Sequence, residues 1–459
     1  MSIYNSLTKS TEPLPILVGN PTPISWYTCG PTVYDHSHIG HARTYMMVDL
    51  MRRTLEMFGY KVTLGMNITD IDDKIIKRAK EEKTDVQSIS KKYTSLFFKD
   101  LTDLNIRLAE EIMNVTDYIT EMTGDIQTMI ANDLAYLKDD SVYFNKTNYL
   151  EKGFKMPGMK YVHEDDLEVT EGEDFALWKR RDKETDFGWD SPFGFGFPGW
   201  HLECSVISHR MFPNGIDIHS GGVDLAFPHH ENEIIQNNIL DNDKEAKFIK
   251  TFVHVGHLHI DGRKMAKTLK NFIPIRELLQ KYSAETIRMY FMLHHYRKKL
   301  DYSTSGVDSA ASILQYIVNF VNKKRDEDIV IEKKSEDSLE TELANLDKFL
   351  LDDFNFPDFI KSISAIINNI YANKSQFTQL EILKFIEYVK LRLRGLGFHL
   401  KSEQNALIID KINDFRHNYR RVLKEGKEIG SLKKEMFVAS DQFRADLATV
   451  GIKLEDKKL

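Results

Sequence analysis

The sequence predicts an α/β protein with a parallel sheet, followed by a region of helices alone. Residues 45–60 carry apolar side chains at spacings of three and four and end near Gly59, as a helix and its stop do. The next run, KVTLGMNIT, predicts a strand that leads into the polar loop TDIDD. A strand, a glycine-containing turn, a helix and a strand begin a parallel α/β unit, which binds its ligands beyond the carboxyl ends of the strands.

The rest of the chain divides into regions with different sequence patterns. Residues 75–140 are mostly helical in pattern, and SPFGFGFPGW predicts a rigid loop rather than an element. A second strand and helix follow in GIDIHS and HHENEIIQNNIL. From about residue 283 onward the pattern predicts only helices, with residues 338–400 suited to an antiparallel bundle.

Composition limits the function classes. With 459 residues, several domains are expected, and a net charge of −7 argues against a protein that coats nucleic acid over its whole surface. Two cysteines exclude a disulfide scaffold and fit a reducing compartment. Neither a secretory signal nor an apolar run of about 18 residues is found, so we expect a cytoplasmic protein with no membrane span.

HIGH, residues 38–41, places two imidazoles around Gly40 at a predicted strand-to-helix turn. Glycine allows a backbone to approach a ligand, and the N-terminus of a helix attracts phosphate. His38 and His41 could therefore donate hydrogen bonds to phosphate oxygens and stabilise charge in a transition state. Taken alone, the pattern is more often a pair of capping and packing histidines.

Two further segments could carry chemistry. Lys264 and Lys267 in GRKMAKTLKNF suit a pyrophosphate group, although a lysine-rich loop is usually only a solvated surface. In FPHHENE, His229 and Glu233 are four residues apart and share one helical face, where they could chelate zinc or form an ordinary His–Glu pair. Cys29 and Cys204 could complete a four-ligand set, but spacing alone does not bring them together.

Six segments in order carry a resemblance: CGPTVYDHSHIGHAR, NITDIDDKI, DFALWK, PGWHLECS, SGGVDLAFPHHENE and KMAKTLKNF. Together they resemble the cysteinyl-tRNA synthetases, which are class I aminoacyl-tRNA synthetases, over essentially the whole chain. The resemblance implies a class I Rossmann-like parallel-sheet catalytic domain with an inserted connective domain. An all-α helical bundle and a small C-terminal anticodon-binding domain would follow it.

The implied boundaries follow the motifs. Residues 1–115 and 201–257 would be the two halves of the Rossmann-like catalytic domain, separated by a connective insertion over 116–200. Residues 258–310 would hold the loop related to the KMSKS motif of the family and a stem-contact region. The helical bundle would occupy 311–400, and the anticodon-binding domain 401–459.

The resemblance also implies a reaction and its residues. Cysteine would be activated with ATP and Mg²⁺ to cysteinyl-adenylate and transferred to the terminal ribose of tRNA(Cys). One zinc ion would select the substrate thiolate over the hydroxyl of serine. The implied zinc ligands are Cys29, Cys204, His229 and Glu233, and the implied cysteine pocket consists of Cys29, Cys204, Thr69 and Trp200. ATP would contact His38, Gly40, His41, Gly221, Gly222, Asp224, Lys264 and Lys267, of which the histidines and lysines would be catalytic.

The helical half would read the tRNA. The implied contacts are Arg288 and Arg297 against the stem and Arg416, Arg420 and Arg421 near the anticodon, because phosphate contacts give affinity and exposed bases give sequence choice. No obligate protein partner is implied, and family members are commonly monomers.

Three positions depart from the family pattern. The usual KMSKS followed by LGN reads KMAKT followed by LKN, so Ala266 lacks a hydroxyl and Lys270 replaces a glycine. Phe197 stands where an arginine is common. A tryptophan usual near the anticodon end is missing, and Phe437 is a candidate replacement as a stacking ring.

Three rival functions fit the sequence less well. A cysteine ligase acting on an amino sugar would lack the helical C-terminal half. A zinc- or RNA-binding module without catalysis would not need His38, His41, Lys264 and Lys267 together. A hydrolase using zinc-bound water needs an open coordination position and a general base, which four protein ligands beside an ATP-type turn do not offer.

Overall fold

The structure is a computed structural model that describes residues 1–14, 22–159, 174–242, 244, 247–260, 262–264, 272–323, 338–373 and 377–400. Contacts divide the chain into two compact units. The first comprises residues 1–313, 335–368 and 395–397, and the second 314–334, 369–394 and 398–459, as far as each is described. No helix of the described residues is long and apolar enough to cross a membrane.

Short strands and helices alternate through the first unit. The strands are β1 (Ser2–Asn5), β2 (Ser10–Pro13), β3 (Ile24–Thr28), β4 (Val62–Ile68), β5 (Glu111–Asn114), β6 (Ala135–Lys138), β7 (Ser141–Phe144), β8 (Ala176–Arg180), β9 (Gly196–Pro198), β10 (Ile216–Gly222), β11 (Ile249–Val255), β12 (Leu258–Ile260), β13 (Arg263–Lys264) and β14 (Leu300–Tyr302).

Helices occur in both units. They are α1 (Ile39–Met57), α2 (Asp73–Glu82), α3 (Val86–Asp103), α4 (Ile119–Ala131), α5 (Lys146–Glu151), α6 (Trp200–Met211), α7 (Glu231–Leu240), α8 (Ile275–Lys281), α9 (Ala284–Met292), α10 (Thr304–Asn322), α11 (Ser338–Leu351), α12 (Phe356–Ala372) and α13 (Gln379–Gly395). In the second unit, the ring of Phe320 on α10 packs edge-on against Tyr371 and Phe385 at 5.5 and 5.9 Å.

A parallel five-stranded sheet forms the centre of the first unit, in the order β11-β10-β3-β4-β5. Its apolar strands are buried on both faces, as expected where helices cover a parallel sheet. The carboxyl ends of β3, β4, β10 and β11 therefore meet at one edge. Cys29, Thr69, Gly222 and Gly256 lie at this edge, directly after or at the ends of those strands.

Among the described residues there are three smaller sheets, of which the antiparallel pair β1-β2 precedes the central sheet in sequence. The antiparallel sheet β6-β7-β8-β9 lies between β5 and β10 in sequence, and the sheet β13-β12-β14 follows β11. β9 corrects the prediction of a loop in SPFGFGFPGW, because Phe197 pairs with Lys179 of β8 and is buried beneath the Arg181 guanidinium, 4.6 Å from the ring centre. β14 likewise corrects the expectation of helices alone after residue 283.

α1 is almost entirely buried, although it contains several charged residues. Its N-cap is His38, and Gly59 just past its end adopts a φ of +89°, which glycine tolerates without strain. Asp49 in its middle accepts hydrogen bonds from Arg288 of α9 and Arg53, both at 2.8 Å. These charges are paired, so the helix is held in place by buried ion pairs as well as by apolar packing.

Candidate functional site

A cavity of about 460 Å³ lies at the carboxyl edge of the central sheet. The loop after β3, the first turn of α1, the end of β10 and the turn after β11 supply most of its lining. Of the residues predicted from the sequence, it brings together Cys29, His38, Gly40, His41, Thr69, Trp200, Cys204, Gly222, Asp224 and His229.

Cys29, Cys204 and His229 of this lining converge with Glu233, and all four side chains are buried. Their donor atoms lie within 4.8 Å of one another. The two Sγ atoms are 3.8 Å apart, and His229 Nε2 lies 3.0 Å from Glu233 Oε1. The fold therefore joins cysteines that are 175 positions apart in sequence, because Cys29 follows β3 while Cys204 lies on α6.

The local geometry explains how these side chains meet. Gly30 follows Cys29 and passes so close to β4 that a Cβ atom would lie 1.6 Å from the Asn67 carbonyl oxygen. Only glycine fits there, and its N–H donates to Asn67 Oδ1 at 2.8 Å. His229 lies in an irregular turn, Ala226–His230, that leads directly into α7 and so keeps the His229–Glu233 spacing of one helical turn.

The electrostatics of the cluster favour the charged forms of Cys204, His229 and Glu233, whereas burial and the neighbouring Cys204 and Glu233 raise the pKa of Cys29 well above its ordinary value. A hydrogen bond from Cys29 lowers the pKa of Cys204 to about 6 against the effect of burial. Burial alone would lower the pKa of His229, but the neighbouring Cys204 and Glu233 raise it to about 10. Burial likewise opposes ionisation of Glu233, yet His219 and His229 hold its pKa well below the ordinary value.

The donor set fits zinc. Zinc takes thiolate, imidazole and carboxylate ligands, usually four of them in structural sites. Two sulfurs, one imidazole nitrogen and one carboxylate within 4.8 Å, all shielded from water, provide that combination. His219 supports it, since its Nε2 lies 2.7 Å from the second oxygen of Glu233 and so orients the carboxylate.

Sequence reasoning missed two residues of this region. His219 and His230 form with Cys29 and Glu233 a second group that could hold a metal, and His230 Nε2 lies 3.3 Å from Cys29 Sγ. His230 Nδ1 in turn lies 2.7 Å from His254 Nε2. The signal was the second histidine of FPHHENE and the single histidine of GIDIHS, each buried although polar.

Trp200 and Thr69 line the same cavity. The Trp200 ring stacks on the His229 ring at 4.4 Å, lines the cavity and remains 38% exposed, so part of it can meet a ligand. Thr69 is buried at the end of β4, where its Oγ1 accepts a hydrogen bond from Asn67 at 3.0 Å. Both positions agree with a pocket beside the cluster.

His38 and His41 also line the cavity, His38 as the N-cap of α1 and His41 in its first turn. His38 Nδ1 accepts hydrogen bonds from the backbone N–H groups of Gly40 and His41 at 3.1 and 3.3 Å, and His41 Nδ1 accepts one from His38 N–H at 3.4 Å. The rings stack at 3.8 Å. Since each Nδ1 is an acceptor, each neutral ring carries its proton on Nε2, where it can serve as a donor.

Burial keeps these two imidazoles neutral. It lowers the pKa of His38 to about 2, with the adjacent His41 adding to the effect, and the pKa of His41 to about 4. Two neutral Nε2–H donors at a helix N-terminus form a site for a polyanion, since the helix dipole adds positive potential there.

The two adjacent glycines of SGGVD, Gly221 and Gly222, have different surroundings. Gly222 and exposed Asp224 line the cavity. Gly221 does not line it and is buried in β10, where a Cβ atom would lie 2.9 Å from the His230 ring. The predicted backbone approach to a nucleotide therefore fits Gly222, while Gly221 makes room for His230.

Of the predicted lysine pair, Lys264 forms the end of β13 and pairs with His259 of β12. Lys267 lies outside the described residues. Beyond it, Phe272 lines the cavity, with its ring edge-on to His38 at 5.2 Å. The lysine segment is thus flanked by residues that belong to the site.

The predicted RNA contacts have different positions. Arg288 is 0% exposed and bonded to Asp49 and to the carbonyl oxygens of Leu104, Asn105 and Leu396, so its prediction as an RNA contact does not fit the structure. In the structure its positive charge is paired with the carboxylate of Asp49, which is 239 positions earlier in the sequence. Arg297 is exposed, with its guanidinium over the Tyr4 ring. Arg416, Arg420, Arg421 and Phe437 lie outside the described residues.

The sequence of this chain matches those of known proteins. Residues 16–312 match the family model of the class I (C) tRNA synthetase catalytic domain. The chain is 36% identical to the cysteine–tRNA ligases of Thermococcus onnurineus and Encephalitozoon cuniculi, with 99% of this chain and 97% of each relative covered. It is also 36% identical to a Dictyostelium discoideum protein named cysteine–tRNA ligase, cytoplasmic, covering 88% of this chain and 66% of that protein.

Solved structures share the fold. Mycobacterium tuberculosis methionyl-tRNA synthetase in complex with methionyl-adenylate gives a TM-score of 0.60 at 13% identity, covering 82% of this chain and 90% of that one. A ternary complex of Agrobacterium radiobacter LeuRS with tRNA and LeuAMS gives 0.58 at 10% identity, covering 83% and 84%. With a family model over more than half the chain and relatives at 36% identity over nearly all of it, the chain belongs to the cysteine–tRNA ligases, enzymes of the class I aminoacyl-tRNA synthetase family.

Proposed function

We propose that this chain activates L-cysteine with ATP to cysteinyl-adenylate and transfers the cysteinyl group to the terminal ribose of tRNA(Cys). The observation that carries the proposal is that one cavity joins a buried Cys/Cys/His/Glu cluster to a pair of neutral histidines at a helix N-terminus. Such a cavity can hold a thiol beside the cluster and a polyphosphate beside the histidines.

Selection of cysteine would occur at the cluster. Cys29, Cys204, His229 and Glu233 would hold zinc, and Trp200 would border the substrate beside His229. Zinc would supply a soft Lewis acid that favours the substrate thiolate over the hydroxyl of serine, which differs little in size. All four ligands are buried, so an ion held by them would be shielded from bulk water.

Activation needs no nucleophilic side chain. The carboxylate of cysteine would attack the α-phosphorus of ATP, the new C–O–P linkage would form, and the bond to pyrophosphate would break. His38 and His41 would donate from Nε2 to phosphate oxygens, and Lys264 and Lys267 would bind the leaving pyrophosphate with Mg²⁺. Catalysis would then consist of positioning and charge stabilisation.

Transfer would use the helical half of the chain. Arg297, Lys298 and Lys299 form an exposed basic run just after α9 and would contact the tRNA stem, while Arg416, Arg420 and Arg421 would approach the anticodon. A reducing compartment suits a protein whose cysteines must stay available as thiolates, and one relative is named cytoplasmic. We therefore also propose a cytoplasmic location.

Cysteine-dependent ATP–pyrophosphate exchange tests this function. Exchange with cysteine, none with serine, and loss of exchange on chelation of zinc are the expected results. No exchange in a folded, zinc-loaded protein would refute activation and favour a zinc- or RNA-binding module. Exchange that survives complete zinc removal would refute the metal-based selection while leaving activation in place.

A further inference from the structure

Arg43, one turn into α1, is a buried cation without an acidic partner. It is 1% exposed and lines the cavity. Its guanidinium donates to the carbonyl oxygen of His257 at 2.7 Å, to that of Tyr296 at 3.4 Å and to that of Lys298. Among the described residues no carboxylate pairs with it, and its Nε has no hydrogen-bond partner.

The three carbonyl groups belong to the junction between the central sheet and the sheet β13-β12-β14. Tyr296 O also accepts from Gly256 N–H at 2.8 Å, and His257 O accepts from Leu300 N–H at 2.9 Å. The turn at Gly256 is packed so tightly that a Cβ atom would lie 2.6 Å from the carbonyl oxygens of Arg297 and Lys298. Arg43 thus completes the junction from which β12 and then β13 lead to Lys264.

α1 is fixed to this region on a second side. Ile39 N–H donates to Ile273 O at 3.0 Å, and Ile275 N–H donates to Ser37 O at 3.1 Å. These bonds attach the chain that returns after the lysine segment, whereas Arg43 attaches the chain that leads into it. The first turn of α1 is therefore bonded to both ends of the segment that contains Lys267.

We propose that Arg43 is a positioning residue for the activation step, which rests on the function proposed above. Its planar fork fixes the turn that carries His38 and His41 relative to the strands that lead to Lys264. An ammonium group has the same charge but cannot reproduce three bonds in one plane. A displacement of about 1 Å between groups that act on one phosphate chain costs about 100-fold in rate.

The test is Arg43→Lys beside Arg52→Lys. Arg52 lies on the same helix, is 5% exposed and bonds Glu56, Glu110 and the Leu108 carbonyl, away from the cavity. We expect Arg43→Lys to lower kcat of pyrophosphate exchange by about 10- to 100-fold, with KM for cysteine within about 2-fold and zinc content unchanged. Arg52→Lys should lower Tm without changing kcat per folded molecule.

Chemical rescue sharpens the test. In Arg43→Ala, about 50 mM guanidinium, far below denaturing concentrations, should restore part of the lost rate, and the same concentration of methylammonium should not. A kcat for Arg43→Lys within about 2-fold of the unsubstituted protein, or equal losses in both lysine variants, would overturn the proposal.

Hydrogen exchange separates this proposal from the function on which it rests. In Arg43→Lys, the amides of Gly256, Leu300 and Ile39 should lose protection, whereas Arg52→Lys should leave them protected. If the unsubstituted protein shows no pyrophosphate exchange, the proposed function fails, and amide protection still decides whether Arg43 holds the junction. Unchanged protection at all three amides would overturn the positioning role directly.

Discussion

His229 and His38 line the same cavity near the start of a helix, His229 buried and His38 half-buried, yet their pKa values move in opposite directions. Cys204 and Glu233 raise the pKa of His229 to about 10, while burial without a neighbouring anion lowers that of His38 to about 2. The difference shows that neighbouring anions, rather than residue type or depth, decide whether an imidazole here is a cation and ligand partner or a neutral donor.

The largest effect is expected for a substitution in the cluster of Cys29, Cys204, His229 and Glu233. His229→Ala should reduce zinc from one per chain to none and lower cysteine activation by about 1000-fold or more, because a ligand and the partner of Glu233 are lost together. Elemental analysis and pyrophosphate exchange measure both. His209→Ala is the matched control, since His209 pairs with Asp241 outside the cluster and should retain both zinc and activity. Retained zinc in His229→Ala would refute the ligand assignment.

The next effect separates capping from donation at His38. His38→Asn should keep the N-cap, since asparagine accepts from the same backbone N–H groups, but should remove the Nε2–H donor. We expect kcat of pyrophosphate exchange to fall about 100-fold, with zinc content and Tm nearly unchanged. His38→Ala, which loses both roles, should in addition cost about 1 kcal/mol in unfolding free energy. An unchanged kcat in His38→Asn would remove His38 from the phosphate site.

A pH series sharpens the same contrast. The folded pKa of His41 is lowered from 6.5 to about 4, so between these values the unfolded chain binds more protons. Its stabilising contribution is complete above pH 6.5 and is lost as pH falls toward 4, by about 2 kcal/mol between pH 6.5 and 5. Denaturant unfolding of the unsubstituted protein and of His41→Gln at both pH values measures it. Equal pH dependence in the two would contradict a neutral, buried His41.

The smallest expected effect lies outside the cavity. Lys298→Glu reverses a charge in the exposed run after α9 and should raise KM for tRNA(Cys) about 3- to 10-fold while leaving pyrophosphate exchange intact. Steady-state aminoacylation at two salt concentrations measures the change. Reversal at Arg420 and Arg421 together should act in the same direction. If exchange fell as much as charging, these residues would be structural.

The sequence predicted a parallel sheet and several residues that the structure brings to the cavity, because short-range patterns and the family motifs indicate both. The strand around Leu64, the turn at His38 and the His229–Glu233 spacing are local features. Only the family resemblance implied that Cys29 and Cys204 meet. Their spacing in the sequence does not show that the end of β3 and the helix α6 come together through tertiary packing. Arg288 was misassigned for the same reason: its partner, Asp49, lies on another helix.

The contacts of Arg43 at this junction could not be predicted from local sequence patterns either. Its partners are backbone carbonyl groups, which no sequence pattern reports. β9 was missed because Gly196 and Pro198 disfavour a strand interior, yet at this edge glycine is required: a Cβ at Gly196 would lie 2.2 Å from the Lys179 carbonyl oxygen. Close backbone approach, rather than intrinsic propensity, decided the structure there.

The pairing of Cys29 with Cys204 has a practical consequence. The chain contains two cysteines in all, and both lie buried in the cluster. Every thiol signal from this protein therefore originates at one place, and a colorimetric thiol reagent reads that place without any engineered label. If the native protein does not react with the reagent and two thiols per chain react after chelation, every chain carried a metal ion. The number of thiols that chelation releases therefore measures the metal-loaded fraction of a preparation before any radioactive assay is begun.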